Sequence, residues 1–289
     1  MGVGYAPSPR PSFPDPTPIP YASVTRHLWG DAEAGEVADW IYVSSEHIHQ
    51  IVFGLPAGAS FRHSDAYRTI FAADEVLYVL AGTMVIANPE TGEVHRVLPG
   101  EAAFFRRDTW HHAWAHGPEP LRVLEFFAPP PSQGTSGAYA RTKPNLAEHR
   151  YTQDQWLERW PMAQAEARAN DTIRVLRDAD RLWRLEGDHH PTLIGVLAST
   201  EHLTVGSIRL EPGQRTDPQS HTGAESLYVL DGVVHVRLPD RPAPSWFELN
   251  PKDGFSLPPG TPHEYHNVSD RPAELIFGVA PSYLPPVIP

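Results

Sequence analysis

The chain has 289 residues, a formal net charge of -12 at neutral pH, no cysteine, 32 prolines and 16 histidines. The length suits one large or two ordinary domains. The absence of cysteine excludes a disulfide framework, a thiolate metal site and a cysteine nucleophile, and the acidic balance argues against nucleic-acid or anionic-membrane partners, which demand basic surface.

Residues 1–20 carry proline at positions 7, 9, 11, 14, 16, 18 and 20. That density forbids regular helix and central strand. The segment reads as an extended arm, either disordered or laid along a sheet edge. It lacks the apolar core of a secretion signal, and no later run approaches the roughly 20 apolar residues that span a bilayer, so a cytoplasmic protein is expected.

From Val37 onward, short apolar runs alternate with Gly and Pro turns, the pattern of an all-β domain. These runs recur. Ser44 to Gly58 aligns with Ser199 to Gly213 at an offset of 155, Leu77 to Gly82 with Leu227 to Gly232 at 150, and His111 and Ala128-Pro129 with His263 and Ala280-Pro281 at 152. Offsets this nearly constant indicate a duplicated domain, assigned to residues 21–130 and 181–289. Between them, 131–180 opens as a Pro/Gly/Ser loop. Thr152 to Gln155 then has the form of a capping box, with Trp156 and Trp160 four apart. This predicts a short helix whose tryptophans anchor it by packing, a break at Pro161, and a second helix over Met162 to Ala169.

The second copy concentrates donor groups. Gln219 and His221 stand two apart and share a face of an extended strand. Glu225 opens the run Ser226 to Leu230, which closes in the Asp231-Gly232 turn. His263 follows the turn Pro258-Pro-Gly-Thr-Pro262. Alternation from Glu225 sends Leu227 and Val229 inward and Tyr228 outward; from His263 it sends Tyr265 and Asn267 inward and Glu264 and His266 outward.

These two segments resemble the paired motifs of the cupin superfamily. Gly213, His221, Glu225, Gly232, Pro258, Gly260, His263 and Asn267 match position by position, while Gln219 replaces the first motif's leading histidine and Lys252 the second motif's opening glycine. The resemblance implies two tandem cupin barrels of the double-stranded β-helix, jelly-roll type, joined by a short helical linker. It also implies one divalent metal ion held in the second barrel by Gln219, His221, Glu225 and His263. Fe(II) is favoured, with Zn, Mn or Ni as alternatives, since an amide oxygen is a harder and weaker donor than imidazole.

A centre of two imidazoles and one carboxylate suits dioxygen chemistry with Fe(II) and proton transfer beside a polarised carbonyl with Zn or Mn. Cupins do both, and the Gln-x-His spacing also resembles phosphomannose isomerases. The favoured reading is a dioxygenase-type oxidoreductase acting on a small polar organic substrate, as monomer or homodimer. A sugar or keto-acid isomerase is the alternative, and a non-catalytic small-ligand binder a third reading. Tyr265 is the one inward residue assigned to proton handling, and its ordinary pKa near 10 makes it a poor base.

The first copy departs from the motif. Counting back from Glu75 places Thr69 and Phe71 where the second copy has Gln219 and His221, so two ligands are lost. His63 and Asp65 would replace them only if their longer loop folded inward. Glu75 and His111 are expected as a buried hydrogen-bonded pair, with a metal-free anion site built from Arg62, Arg68, Arg106 and Arg107 as the sharper alternative. His47, His49, His112, His116, His189, His190 and His202 match no motif position and are assigned structural or exposed roles.

Overall fold

The computed structural model describes residues 8–130 and 138–285. One plan appears twice. In the first half a seven-stranded sheet carries, in spatial order, Ile173–Leu176, Ala102–Phe105, Asp74–Ala81, Leu121–Ala128, His49–Leu55, Gly35–Ser44 and Thr25–Asp31. A four-stranded sheet of Ser60–Phe61, His112–His116, Thr83–Asn88 and Glu93–Val97 closes its core. In the second half the seven strands are Thr17–Ile19, Gly254–Leu257, Ala224–Asp231, Ala273–Ala280, Thr204–Leu210, Thr192–Ser199 and Leu182–Glu186. A three-stranded sheet of Trp246–Leu249, Val234–Arg237 and Glu264–His266 completes it. The duplicated all-β jelly roll expected from the sequence is the architecture observed. Among the described residues no sheet closes on itself, so each half is a sandwich of a large and a small sheet.

The large sheets are buried on both faces, which is why their central strands read as nearly continuous apolar runs. Along Ala224–Asp231, Leu227 and Val229 fill the second core while Tyr228 points the other way. That outward face does not reach water. It joins Tyr42, Val52, Phe126, Val205 and Ile276 in a third apolar cluster between the halves. Polar groups buried there are satisfied across the interface: Tyr42 Oη donates to the Lys252 carbonyl at 2.6 Å, and the Gln50 amide pairs with Ser226 Oγ and the Leu227 carbonyl.

Each half also borrows a strand. Thr17–Ile19, from the proline-rich arm, pairs with Gly254–Leu257 of the second half, and Ile173–Leu176, which precedes the second half, pairs with Ala102–Phe105 of the first. The arm therefore lies along a sheet edge at residues 17–19, and further back the Pro11 carbonyl accepts from the Ser44 N–H; residues 1–7 fall outside the described residues. Glu93 holds the other borrowed strand. Its buried carboxylate bonds His95 at 2.9 Å and accepts from the backbone N–H groups of Thr172 and Ile173 at 2.9 and 2.6 Å, and these contacts together keep it below the usual carboxylate range despite burial.

The linker departs from expectation in one place. The helix Met162–Asn170 follows Pro161 as expected, but the segment before it forms only a 3₁₀ turn, Asp154–Trp156, without a side-chain cap. Trp160 is 73% exposed and anchors nothing. Trp156 is half-buried beneath the Arg159 guanidinium, 5.7 Å from its ring centre. Glu158 adopts a left-handed backbone, φ 61°, which breaks the helical path between the two tryptophans.

Candidate metal centre

Three pieces of backbone bring the four donor residues together. Glu225 stands near the start of the Ala224–Asp231 strand, facing into the core. His263 and Gln219 pair through their backbones, each N–H to the other's carbonyl at 2.9 Å, an isolated bridge at the mouth of the sandwich. His221 lies two residues beyond Gln219, its backbone carbonyl accepting from the Gly260 N–H of the Pro/Gly turn. All three charged candidates are buried, and one ligand atom from each lies within 4.8 Å of the others.

The hydrogen bonds around the cluster settle which lone pairs face inward. His221 Nδ1 lies 2.5 Å from the Tyr283 carbonyl and His263 Nδ1 lies 3.0 Å from the Thr261 carbonyl. A carbonyl only accepts, so both rings carry a proton on Nδ1 and turn Nε2 to the centre. Those Nε2 atoms sit 3.3 and 3.1 Å from Glu225 Oε2. The other carboxylate oxygen, Oε1, accepts from Tyr265 Oη at 2.6 Å, whereas Oε2 is buried without a well-oriented hydrogen bond. Two imidazole Nε2 atoms and one carboxylate oxygen thus converge on one point, the donor set of a divalent ion. Burial alone would raise the Glu225 pKa, but His263 and His221 hold it far below the usual range, and Glu225 in turn outweighs burial to raise His221, so a proton shared with His221 answers the carboxylate where no ion does. Gln219 is half-buried with its amide nitrogen 3.2 Å from His263 Nε2. Turning the amide over, an assignment that hydrogen bonding alone decides, points its oxygen at the same centre. The residues fit a divalent ion.

The cupin domain family model matches residues 71–127 and 206–279, one segment in each half. The chain is a bicupin. No curated protein matches this sequence. Solved structures share its fold across nearly its whole length. A putative glyoxylate-induced protein from Pseudomonas aeruginosa superposes with a TM-score of 0.64 at 16% identity, covering 96% of this chain and 94% of its own. An oxalate decarboxylase mutant from Bacillus subtilis gives 0.59 at 12% identity, with 93% and 78% covered. The protein Ylba from E. coli gives 0.60 at 9%, with 92% and 90% covered. Among the described residues, no helix of this bicupin is long and apolar enough to cross a membrane.

A pocket of about 510 Å³ adjoins the bicupin's donor cluster, reaching Gln219 and His221 from outside. Its lining shows residues that motif spacing missed. Tyr283 stacks on His221 with ring centres 4.4 Å apart, and its hydroxyl donates to Glu186 at 2.8 Å. Arg184, half-exposed, pairs with the same carboxylate at 2.7 Å. Arg184 and Glu186 belong to the strand Leu182–Glu186 and Tyr283 to the C-terminal segment, so neither lies in a motif. The only sequence signal available was their two-residue spacing on a strand. The loop residues Arg215 and Asp217 turn away to His190. Asn267 does not line the site either: the strand ends at His266, and the Asn267 amide secures the following turn through Leu210 and Arg271 carbonyls. Glu264 and His266 point away from the centre as expected, yet both are buried, joined to each other at 2.8 Å and covered by Trp246.

The first cupin domain has lost this arrangement. His111 N–H donates to the Thr69 carbonyl as His263 does to Gln219, so Thr69 occupies the position assigned by spacing, and Phe71 packs beside His111 with ring centres 5.8 Å apart. His63 and Asp65 do not fold inward to replace the lost ligands. His63 instead contacts His112 at 2.7 Å and the Leu146 carbonyl at 3.0 Å, clamping the linker, while Asp65 accepts from Asn145. Glu75 and His111 remain buried but stand 3.9 Å apart, too far for the expected hydrogen bond; Glu75 shares a hydrogen bond with Glu125 instead. The anion site is not formed. Arg68 donates to the Ala140 and Lys143 carbonyls, Arg106 pairs with Asp74 and Glu201, Arg107 with Asp108, and Arg62 is exposed.

Proposed function

We propose that the second cupin domain binds one divalent metal ion through His221, Glu225 and His263, with Gln219 as a weaker fourth donor. We further propose that the protein is a dioxygenase-type oxidoreductase acting on a small polar organic substrate. The observation that carries the metal assignment is Glu225 Oε2, buried and faced by the Nε2 atoms of His221 and His263 at 3.3 and 3.1 Å. When bound, Fe(II) in a two-histidine, one-carboxylate set supplies dioxygen binding and electron transfer beside a chelating substrate.

The chain's own residues have limited roles in that reading. Tyr265 holds Glu225 by Oε1 and so directs Oε2 to the centre. Burial and the adjacent Glu225 push the Tyr265 pKa well above 10, which removes it as a base and leaves it a positioning residue. Tyr283 roofs His221, and Arg184 at the pocket mouth offers a fork for a substrate carboxylate. Two similar folds carry names from small-acid chemistry, oxalate decarboxylase and glyoxylate-induced protein; this supports a small carboxylic or oxo acid as the substrate class. Glu186 favours the isomerase alternative, because it is the acid at the mouth that proton transfer would need.

Metal analysis of anaerobically purified protein, followed by parallel assays of small oxo acids in an oxygen electrode and under anaerobiosis, tests the proposal. Iron with substrate-dependent oxygen uptake is expected. Equal turnover without oxygen, lost on Glu186→Gln, would establish the isomerase instead.

A further inference from the structure

The first cupin domain holds an open-mouthed cavity of about 50 Å³ whose polar lining is Asp39, Glu125, Thr69 and His111. Asp39, on the strand Gly35–Ser44, and Glu125, on Leu121–Ala128, both line it and are buried. Glu75 stands behind Glu125 and shares a hydrogen bond with it. Carboxyls inside a protein are expensive unless paired, and an apolar filling is often as stable or more so. Here no cation of the chain answers them. No arginine lines the cavity, and Arg68, Arg106 and Arg107 are engaged outside it. His111, the one basic group on the wall, lies among Phe61, Phe71 and Phe105, where burial holds it down to about 4 and so neutral.

Three further atoms are left without partners at this spot. Thr69 Oγ1, Glu75 Oε2 and Trp29 Nε1 are all buried and unbonded, and Thr69 and Trp29 line the cavity. The acids do not converge as the donors of the second domain do: among the described residues, the groups spaced to hold a metal ion are His221, Glu225 and His263 and the Glu93, His95 and Asp171 cluster. The rest of the wall is apolar, Val37 and Ile51 beside a group of aromatic rings in which Trp29 and Phe53 each meet Phe61 edge to face. Burial favours the protonated form of these acids until a cation faces them, so a positive nitrogen with a short apolar body would bind by displacing a proton, its charge met by the carboxylates and the aromatic faces and its N–H groups by acceptors such as Thr69 Oγ1.

We infer that the first cupin domain is a second binding site, selective for a small organic ammonium ion held between Asp39 and Glu125 within the aromatic wall. The volume admits a ligand of only a few heavy atoms. This site is separate from the metal centre and does not depend on its chemistry.

The test uses the full-length, metal-loaded protein at constant ionic strength, titrated with methylammonium chloride by calorimetry and ligand-observed NMR, with sodium acetate and methanol as anionic and neutral probes of similar size. Methylammonium is expected to saturate one site per chain. The double variant Asp39→Asn, Glu125→Gln, which keeps shape and removes charge, is expected to bind about tenfold more weakly or worse while its melting profile stays cooperative and its metal content unchanged. His221→Ala is expected to leave methylammonium binding intact. Equal binding of acetate or methanol, an unchanged affinity in the double variant, or no saturable binding up to about 100 mM would overturn the inference.

Discussion

His263 and His111 stand at equivalent positions of the duplicated chain, and replacing each with Ala should have opposite results. His263→Ala removes one of three strong donors, so metal content by elemental analysis should fall from one per chain to near zero; His111→Ala should leave it at one. Two metals per chain would contradict the assignment to the second domain. Tyr265→Phe deletes the hydroxyl that holds Glu225 Oε1. Supporting groups of this kind are worth about 10–100-fold in metal affinity, and a loss of that size is expected by competition with a chelator, with the fold retained. In the first domain the relevant quantity is pH. Burial pushes Glu125 up to about 7 from 4.5. The folded chain therefore keeps this proton to higher pH than the unfolded chain. Its contribution to stability is full below about pH 4.5 and is lost as pH rises through about 7. Glu125→Gln, a permanently neutral shape match, should melt higher than the parent at pH 8 and show little advantage at pH 4.5.

At the scale of elements, the borrowed strands decide how far the two halves depend on each other. Thr17–Ile19 fills the outer edge of the second large sheet, and Ile19 is buried in the cluster between the halves. Ile19→Ala should cost about 2–4 kcal/mol, read as a lower denaturation midpoint. Removing residues 1–20 should cost more, because it also uncovers the hydrogen-bonding edge of Gly254–Leu257. Chain composition excluded helix for this arm but left its partner open, since pairing across more than 230 residues has no local signature. The linker shows the reverse failure. Thr152 and Gln155 satisfy a capping pattern in sequence, yet the chain is diverted by the left-handed Glu158 before a helical turn can continue, so the local propensity is overridden.

Across the whole molecule, the duplicated halves are not interchangeable, because the interface depends on their differences. Phe126 of the first half packs over Gly278, its counterpart in the second at the offset of 152; a Cβ on Gly278 would lie 2.4 Å from the Phe126 ring. Tyr42 approaches Gly254 in the same way, at 2.6 Å. A large ring on one half thus enters the space left by a missing side chain on the other. Gly278→Val should force the sheets apart and destabilise the whole chain by about 1–3 kcal/mol or more. Loss of a single cooperative transition on calorimetry is the expected sign, since the two cores would then melt separately.

Spacing along the chain by itself determined the duplication and singled out Gln219, His221, Glu225 and His263 as candidates, and the resemblance of their two motifs to cupins implied the jelly-roll class. Those features are local: a turn, a two-residue strand period and a fixed loop length place donors on one face whatever surrounds them. The loss of the first site was equally legible, because Thr69 and Phe71 occupy counted positions. Only the tertiary structure decided what lies beside each site. Arg184, Glu186 and Tyr283 reach the metal pocket from the two ends of the second half, and Asp39 meets Glu125 from a strand more than 80 residues away. Such neighbours are chosen by how sheets fold over one another, and no periodicity in the sequence records that.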